Sequence, residues 1–338
     1  MNSITYKVFV TCLTYNQLNY VKDTMDGFCM QKTDFPFVCA IIDDASTDGE
    51  QEYLKKYIEC NFDIKNDYYK FDETEDLYRV FAQHKTNKNC FFIVVCLKYN
   101  HHQIKKSKAP YVAEWKSKAQ YHALCEGDDY WIDEDKLQKQ VSFLDNNPDY
   151  GLVYTNQYNR KEGSDELIKV INKGKEEFED LLIGAGIGTP TTCFRMDLYN
   201  DYLDEIRPYD KNWLMGDGPI WKYMAFRSKI KFMSDYTTVY RILNNSASHN
   251  RDIEKQIAYI NSGYDVQAFF INKYIDSPEK RTKLLLKAKK KKSLSILNNY
   301  MKRNDYRSGK TFFLECKKYL GLRNRLVYYF KLFVFKLR

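Results

Sequence analysis

The chain lacks what several large protein classes require. No apolar run reaches the ~18 residues of a membrane-spanning helix, so no such helix is expected. No basic segment with an apolar stretch and small-residue cleavage site opens it, so no signal peptide is expected. Its nine cysteines include no Cys-x-x-Cys pair and no zinc-type spacing. With an odd count, they read as reduced thiols of a cytosolic protein, most of them in the core. Glycine and proline are scarce, at 14 and 7 residues, and no internal repeat is present.

What remains is the composition of a soluble globular protein: 29% charged and 44% hydrophobic residues, with 29 Tyr and 21 Phe. A length of 338 residues allows one large domain or two small ones. The net charge of +8 hides an asymmetry. Residues 279–338 carry 19 Lys and Arg against 3 Asp and Glu, a net of +16, which leaves −8 on residues 1–278. A basic end on an acidic body points to an anionic surface as partner.

Through residue 155 strand and helix patterns alternate. Lys7–Leu13, Phe37–Ile42, Phe91–Leu97, Ala119–Cys125 and Gly151–Thr155 read as buried strands. Leu18–Cys29, Gln51–Ile58 and Lys136–Leu144 carry helical spacing. Repeated strand–helix units predict an α/β fold with a mostly parallel sheet flanked by helices. The polar stretch 59–90 reads as an irregular or helical insertion. The small-residue segment Gly184–Thr192 is either a loop that admits a ligand to the backbone or a turn before a strand at Thr192–Phe194. Residues 251–338 read as helical.

Chemistry concentrates after the strands. Cys125-Glu126-Gly127-Asp128-Asp129-Tyr130-Trp131 brings three carboxylates to the end of one of them. In open α/β sheets that edge faces the ligand crevice. Mg²⁺ is typically held by one or two carboxylates together with substrate phosphates. The competing reading is an acidic turn that opens the next helix. Thr14-Tyr15-Asn16 follows the first strand, and Asp43-Asp44-Ala45-Ser46-Thr47-Asp48-Gly49 follows the second. Ser46 or Thr47 is expected to cap the helix at Glu50, whereas Asp44 is read as a ligand contact. His101 and His102, beside Lys105, Lys106 and Lys108, form a basic cluster past the third strand, read as a solvated face against the alternative of a phosphate contact.

Taken together, the chain resembles family 2 glycosyltransferases with the glycosyltransferase A fold. The resemblance rests on TYNQ at 14–17, Gln31, IIDDASTDG at 41–49, CEGDDYW at 125–131, the run 136–156, MGDGPIW at 215–221 and YR at 240–241. It covers about residues 5–250. It implies a Rossmann-like catalytic domain over 1–250, with a nucleotide-sugar-binding half at 1–155 and an acceptor-binding half at 156–250. A basic helical extension follows at 251–338. It further implies that Thr14, Tyr15 and Asp44 line the nucleotide pocket, Asp44 accepting from a uracil N–H. Asp128 is placed at the ribose or the metal, and Asp129 on a Mn²⁺ or Mg²⁺ ion bridging the donor diphosphate. Glu126 stands where the family commonly has Asp, within bonding reach of the ribose. Asp217 matches the general base, in a bend before a helix that it would otherwise simply cap. His249, on the polar run after Arg241, is a candidate for the metal or diphosphate, against the plainer reading of a solvated loop residue.

The expected activity is metal-dependent, inverting transfer from a nucleotide sugar, with uridine diphosphate as the expected carrier. The acceptor is a glycan or lipid-linked molecule of bacterial surface-polysaccharide synthesis, such as lipopolysaccharide or capsule. The site is expected to be cytoplasmic, at the inner face of the membrane. The basic run at Lys287–Lys292 and the aromatic, basic end 326–337 suit an interfacial helix on anionic lipid, against packed helices with solvated lysines. No nucleic acid is expected, because no binding signature accompanies the charge. A nucleotidyltransferase would show a Gly-rich basic loop near the first strand, which residues 11–16 lack. A non-catalytic glycan- or lipid-binding module would have no use for Asp129 and Asp217.

Overall fold

A computed structural model describes residues 5–171, 174–184, 186–244 and 251–334. The strands are β1 (Tyr6–Thr14), β2 (Phe37–Asp43), β3 (Phe62–Asp63), β4 (Lys70–Glu73), β5 (Leu77–His84) and β6 (Cys90–Leu97). They continue with β7 (Ala119–Leu124), β8 (Tyr130–Trp131), β9 (Tyr150–Lys161), β10 (Leu167–Lys169), β11 (Cys193–Arg195) and β12 (Lys229–Ile242). The helices are α1 (Val21–Cys29), α2 (Glu50–Asn61), α3 (Ala113–Lys116), α4 (Lys136–Asn146), α5 (Phe178–Ile183) and α6 (Met196–Ile206). After them come α7 (Asp217–Arg227), α8 (Ile253–Tyr274), α9 (Pro278–Lys302), α10 (Tyr306–Cys316) and α11 (Leu322–Tyr329).

All the strands join one sheet in the order β3-β5-β6-β2-β1-β7-β11-β9-β12-β8, with β4 on β5 and β10 on β9. Its centre, β6-β2-β1-β7, is parallel. Its flanks are largely antiparallel. β2 and β6 are buried at every residue, as strands covered on both faces must be. Alternation sends their side chains to two cores. Val8, Val10, Cys39 and Ile41 pack with Met25 and Phe28 of α1, Leu54 of α2 and Leu137 and Val141 of α4. Phe9, Val38, Ala40 and Ile42 pack with Trp115 and Met196.

The stretch 59–90 is not an irregular or helical insertion. It holds β3, β4 and β5, and β5 pairs antiparallel with β6. Its polar residues belong to a half-exposed sheet flank, where only some positions need to be apolar. Residues 189–191 form one 3₁₀ turn before β11. All nine cysteines are free, and seven are buried.

The chain divides into two compact units. The first comprises residues 1–176, 187–205 and 227–242, and the second 177–186, 206–226 and 243–338. In the second, α8 is capped by Asp252, whose side chain accepts from the Glu254 and Lys255 amides. Ser277 caps α9 through the Lys280 amide, with Pro278 at its first turn. Lys291 of α9 donates to the carbonyls of Ile183 and Gly184, at 2.8 and 2.9 Å. Leu297, Phe313, Cys316, Leu320, Tyr328 and Leu332 form one buried cluster. Leu322, Leu326, Tyr329 and Phe330 are exposed. The aromatic end therefore divides between packed and solvent-facing residues.

In the first unit Lys136 is fully buried. Its Nζ donates to Gln140 Oε1 at 2.9 Å and lies 4.2 Å from the Trp131 ring centroid. Burial lowers its pKa from 10.5 to about 8. Between those values the unfolded chain holds a proton that the fold has released, so this residue makes stability rise with pH through that window. Lys136→Met should reduce the slope: between pH 8.5 and 9.5 the wild type should gain about 1 kcal/mol more in urea unfolding than the variant. Equal gains would show that Lys136 is not desolvated.

Candidate active site

The parallel centre delivers the carboxyl ends of β1, β2 and β7 to one edge, where Thr14 is level with Asp43 and Thr11 with Leu124. Hydrogen bonds knit the loops after β1 and β2. Asn16, at φ 54°, donates its amide to Ser46 Oγ at 2.8 Å and accepts from the Thr47 amide at 2.8 Å. Leu18 N donates to Asp48 Oδ2 at 3.0 Å, and Gln17 N to Glu50 Oε2 at 2.8 Å. Glu50 is buried at the start of α2, with the Thr14 hydroxyl donating to Oε1 and Ser46 Oγ to Oε2. Neither Ser46 nor Thr47 caps α2. Gly49 occupies the cap position at φ 94°, a left-handed conformation that glycine takes without a Cβ clash. Thr47-x-x-Glu50 looks like a capping box, yet its acid serves Thr14 and Gln17 instead.

Asp44 is buried, and its carboxylate is already well supplied. Oδ1 accepts from His101 N at 2.7 Å, Oδ2 from His102 N at 3.1 Å, and Lys108 Nζ lies 3.0 Å from Oδ2. The reading of His101 as part of a solvated face is therefore corrected. Its ring is buried, stacked on Tyr99 and bonded to Tyr111 OH at 3.0 Å, because the loop after β6 folds over Asp44. A carboxylate offers about four acceptor positions, so Asp44 retains capacity for one more donor.

The acidic turn after β7 is fixed from several sides. Gly127 N donates to Leu13 O at 3.0 Å, and Asp129 N to Glu126 O at 3.1 Å. Thr24 of α1 donates to the carbonyls of Gly127 and Asp129, at 2.9 and 2.6 Å. Buried Gln31 binds Asp133 O at 2.8 Å and accepts from Leu137 N at 3.1 Å, joining α1 to the start of α4. Burial raises the Asp128 pKa and pushes that of Asp129 well up, the latter reinforced by the charges of Asp128 and Glu126. The charges of Asp128 and Glu126 thus both reach Asp129.

The other expected residues are distributed as follows. Thr14 is buried with its hydroxyl donated to Glu50, whereas Tyr15 is exposed. Asp217 lies in the second unit as the first residue of α7, where its Oδ1 accepts from Gly218 N at 2.6 Å. His249 lies outside the described residues. Among the described residues, no three or more His, Cys, Asp and Glu side chains form a ready-made metal cage. Sequence reasoning gave no side-chain role to Glu50, Gln17 or Arg241. Each acts across the fold, and the short motifs offer no signal for such distant partners.

No family model matches the chain. Proteins of Mycobacterium bovis and Mycobacterium tuberculosis, described as uncharacterized, are 31% identical over 140 residues. That match covers 41% of this chain and 32% of each relative, so it spans about a third of their length. Among solved structures, Staphylococcus aureus TarS superposes with a TM-score of 0.58 at 15% identity, covering 96% of this chain and 52% of TarS. Its fragment 1–349 in complex with UDP-GlcNAc gives 0.59 at 15% identity, covering 96% of this chain and 87% of the fragment. The fold is a glycosyltransferase fold. Within it, the acidic turn after β7 and the loops after β1 and β2 lie at the carboxyl edge of the parallel strands, where open α/β sheets bind ligands.

Gly127 marks how tightly a glycosyltransferase fold of this sequence closes there. A Cβ at that position would lie 2.4 Å from Thr14 Oγ1 and 2.6 Å from Gln17 Oε1. Both neighbours are hydrogen-bonded, so neither retreats freely. Gly127→Ala should destabilise the fold by about 1–3 kcal/mol, the range for overpacking. A melting temperature equal to wild type would show that the turn has room the structure does not give it.

Proposed function

We propose that this protein is a metal-dependent, inverting glycosyltransferase that uses a nucleotide sugar, with uridine diphosphate as carrier. Its acceptor is a glycan or lipid-linked intermediate of bacterial surface-polysaccharide synthesis. The observation that carries the proposal is the Glu126-Gly127-Asp128-Asp129 turn at the carboxyl edge of the parallel strands, with desolvated carboxylates in one place. The solved complex of the TarS fragment with UDP-GlcNAc supports a nucleotide-sugar donor for this fold.

The donor set suits a hard divalent cation. Burial and like charge both disfavour ionised Asp129, and a cation relieves both. The absence of a complete protein cage among the described residues fits an ion shared with substrate phosphates. Asp128 and Asp129 would hold Mn²⁺ or Mg²⁺, with Glu126 at the ribose. The bound ion would neutralise charge on the departing diphosphate. Asp44, with its remaining acceptor position, would take the uracil N–H, beside exposed Tyr15. Asp217 would accept the proton of the attacking acceptor hydroxyl, making it nucleophilic as the sugar transfers with inversion. That assignment rests on its motif.

Asp129→Ala should abolish transfer and the metal-dependent part of donor binding. Asp217→Asn should keep donor affinity and lower turnover by about 10²–10⁴-fold. Incubating the protein with a panel of nucleotide sugars and Mn²⁺, and following nucleoside diphosphate release, checks both. Asp217→Asn turnover at the wild-type level would assign the base elsewhere.

Among the described residues no helix is long and apolar enough to cross a membrane. The exposed Leu322, Leu326, Tyr329 and Phe330, interspersed with Arg323, Arg325 and Lys331, suit contact with an anionic lipid surface. Because Tyr328 and Leu332 are buried, deletion of this end would also damage packing. Leu326→Glu with Phe330→Glu spares the buried pair. In vesicle sedimentation the double variant should stay in the supernatant at low salt, while wild type pellets with anionic vesicles. Wild type remaining in the supernatant would refute the lipid contact.

A further inference from the structure

Arg241, the penultimate residue of β12, is a buried charge, 5% exposed. Its guanidinium is committed to protein oxygens on two sides. Nη1 donates to the Asp128 carbonyl at 2.7 Å, and Nη2 pairs with the Asp23 carboxylate on α1. The Tyr20 and Tyr130 rings lie 5.1 and 4.4 Å from the guanidinium carbon. The Arg241 backbone amide donates to Asp129 Oδ1 at 2.8 Å. One residue therefore holds the carbonyl of the first aspartate and the carboxylate of the second, and is itself braced against another element. The planar fork of arginine fixes two oxygens in set directions, which a lysine ammonium on a flexible stem does not.

We propose that Arg241 is a positioning residue: braced by Asp23 and walled by Tyr20 and Tyr130, it fixes the Asp128–Asp129 turn in the orientation that engages a divalent cation shared with a nucleoside diphosphate. This inference rests on the function proposed above. It has a diagnostic sign. A cationic side chain near a cation site repels the ion, so loss of charge alone would tighten metal binding. Loss of the turn's geometry would weaken it. The direction of change in a neutral variant therefore separates positioning from simple electrostatics.

The test is Mn²⁺ titration of UDP binding to the full-length chain, followed by calorimetry, with far-ultraviolet circular dichroism and melting without ligand as the control for folding. Arg241→Met and Arg241→Lys should each raise the half-saturating Mn²⁺ concentration by about 10–100-fold, as for lost outer partners of metal ligands. Asp23→Asn should shift it in the same direction by a smaller factor. Asp23 is half exposed, with 45% of its side chain accessible, so this variant keeps the test available if Arg241→Met does not fold. Tighter or unchanged Mn²⁺ dependence in Arg241→Met would overturn the proposal. So would an Asp23→Asn response identical to wild type. If wild type itself shows no Mn²⁺-dependent UDP binding, the proposed function fails first.

Discussion

Desolvated carboxylates at one edge of the sheet are the constraint on which the rest of the site depends. Asp43, Glu50, Asp128 and Asp129 all have their pKa values raised by burial. Such groups persist only where donors or cations meet them. The loops after β1, β2 and β6 and the turn after β7 are arranged accordingly. Backbone amides of Gln17, Ser46, His101, His102 and Arg241 all point at carboxylate oxygens. The architecture is therefore a framework for holding negative charge, which the proposed cation would engage.

That framework also explains the irregular features. Asn16 at φ 54° and Gly49 at φ 94° are conformations most side chains avoid, and they occur where two loops must interlock. Gly127 leaves no space for a Cβ because the acidic turn presses on Thr14. Arg241 spans from β12 to α1 and the turn after β7, so three elements set the place of two aspartates. Each is a local cost offset by the precision it gives the crevice.

Much of this was legible in the sequence. The apolar content of β6, β2, β1 and β7 places each of these central strands within one residue of its observed bounds. The motifs at 14–17, 41–49 and 125–131 mark the loops that carry the site. What stayed hidden depends on distant pairing. β5 is half polar, so its alternation is too weak to announce a strand. His101 and Lys108 read as a solvated basic face because nothing local reveals that Asp44, more than fifty residues away, faces that loop. Glu50 carries no local sign of its partner Thr14, which is set by the pairing of β1 with β2.

The central claim is that the carboxylates after β7 work through a cation shared with a diphosphate. Calorimetric titration of UDP into the wild-type protein, in Mn²⁺ and again in chelator, tests it most directly. The account predicts a dissociation constant at least about tenfold tighter with Mn²⁺, since the ion cancels charge that burial leaves unscreened. Equal affinity in the two conditions, or no binding in either, would contradict it.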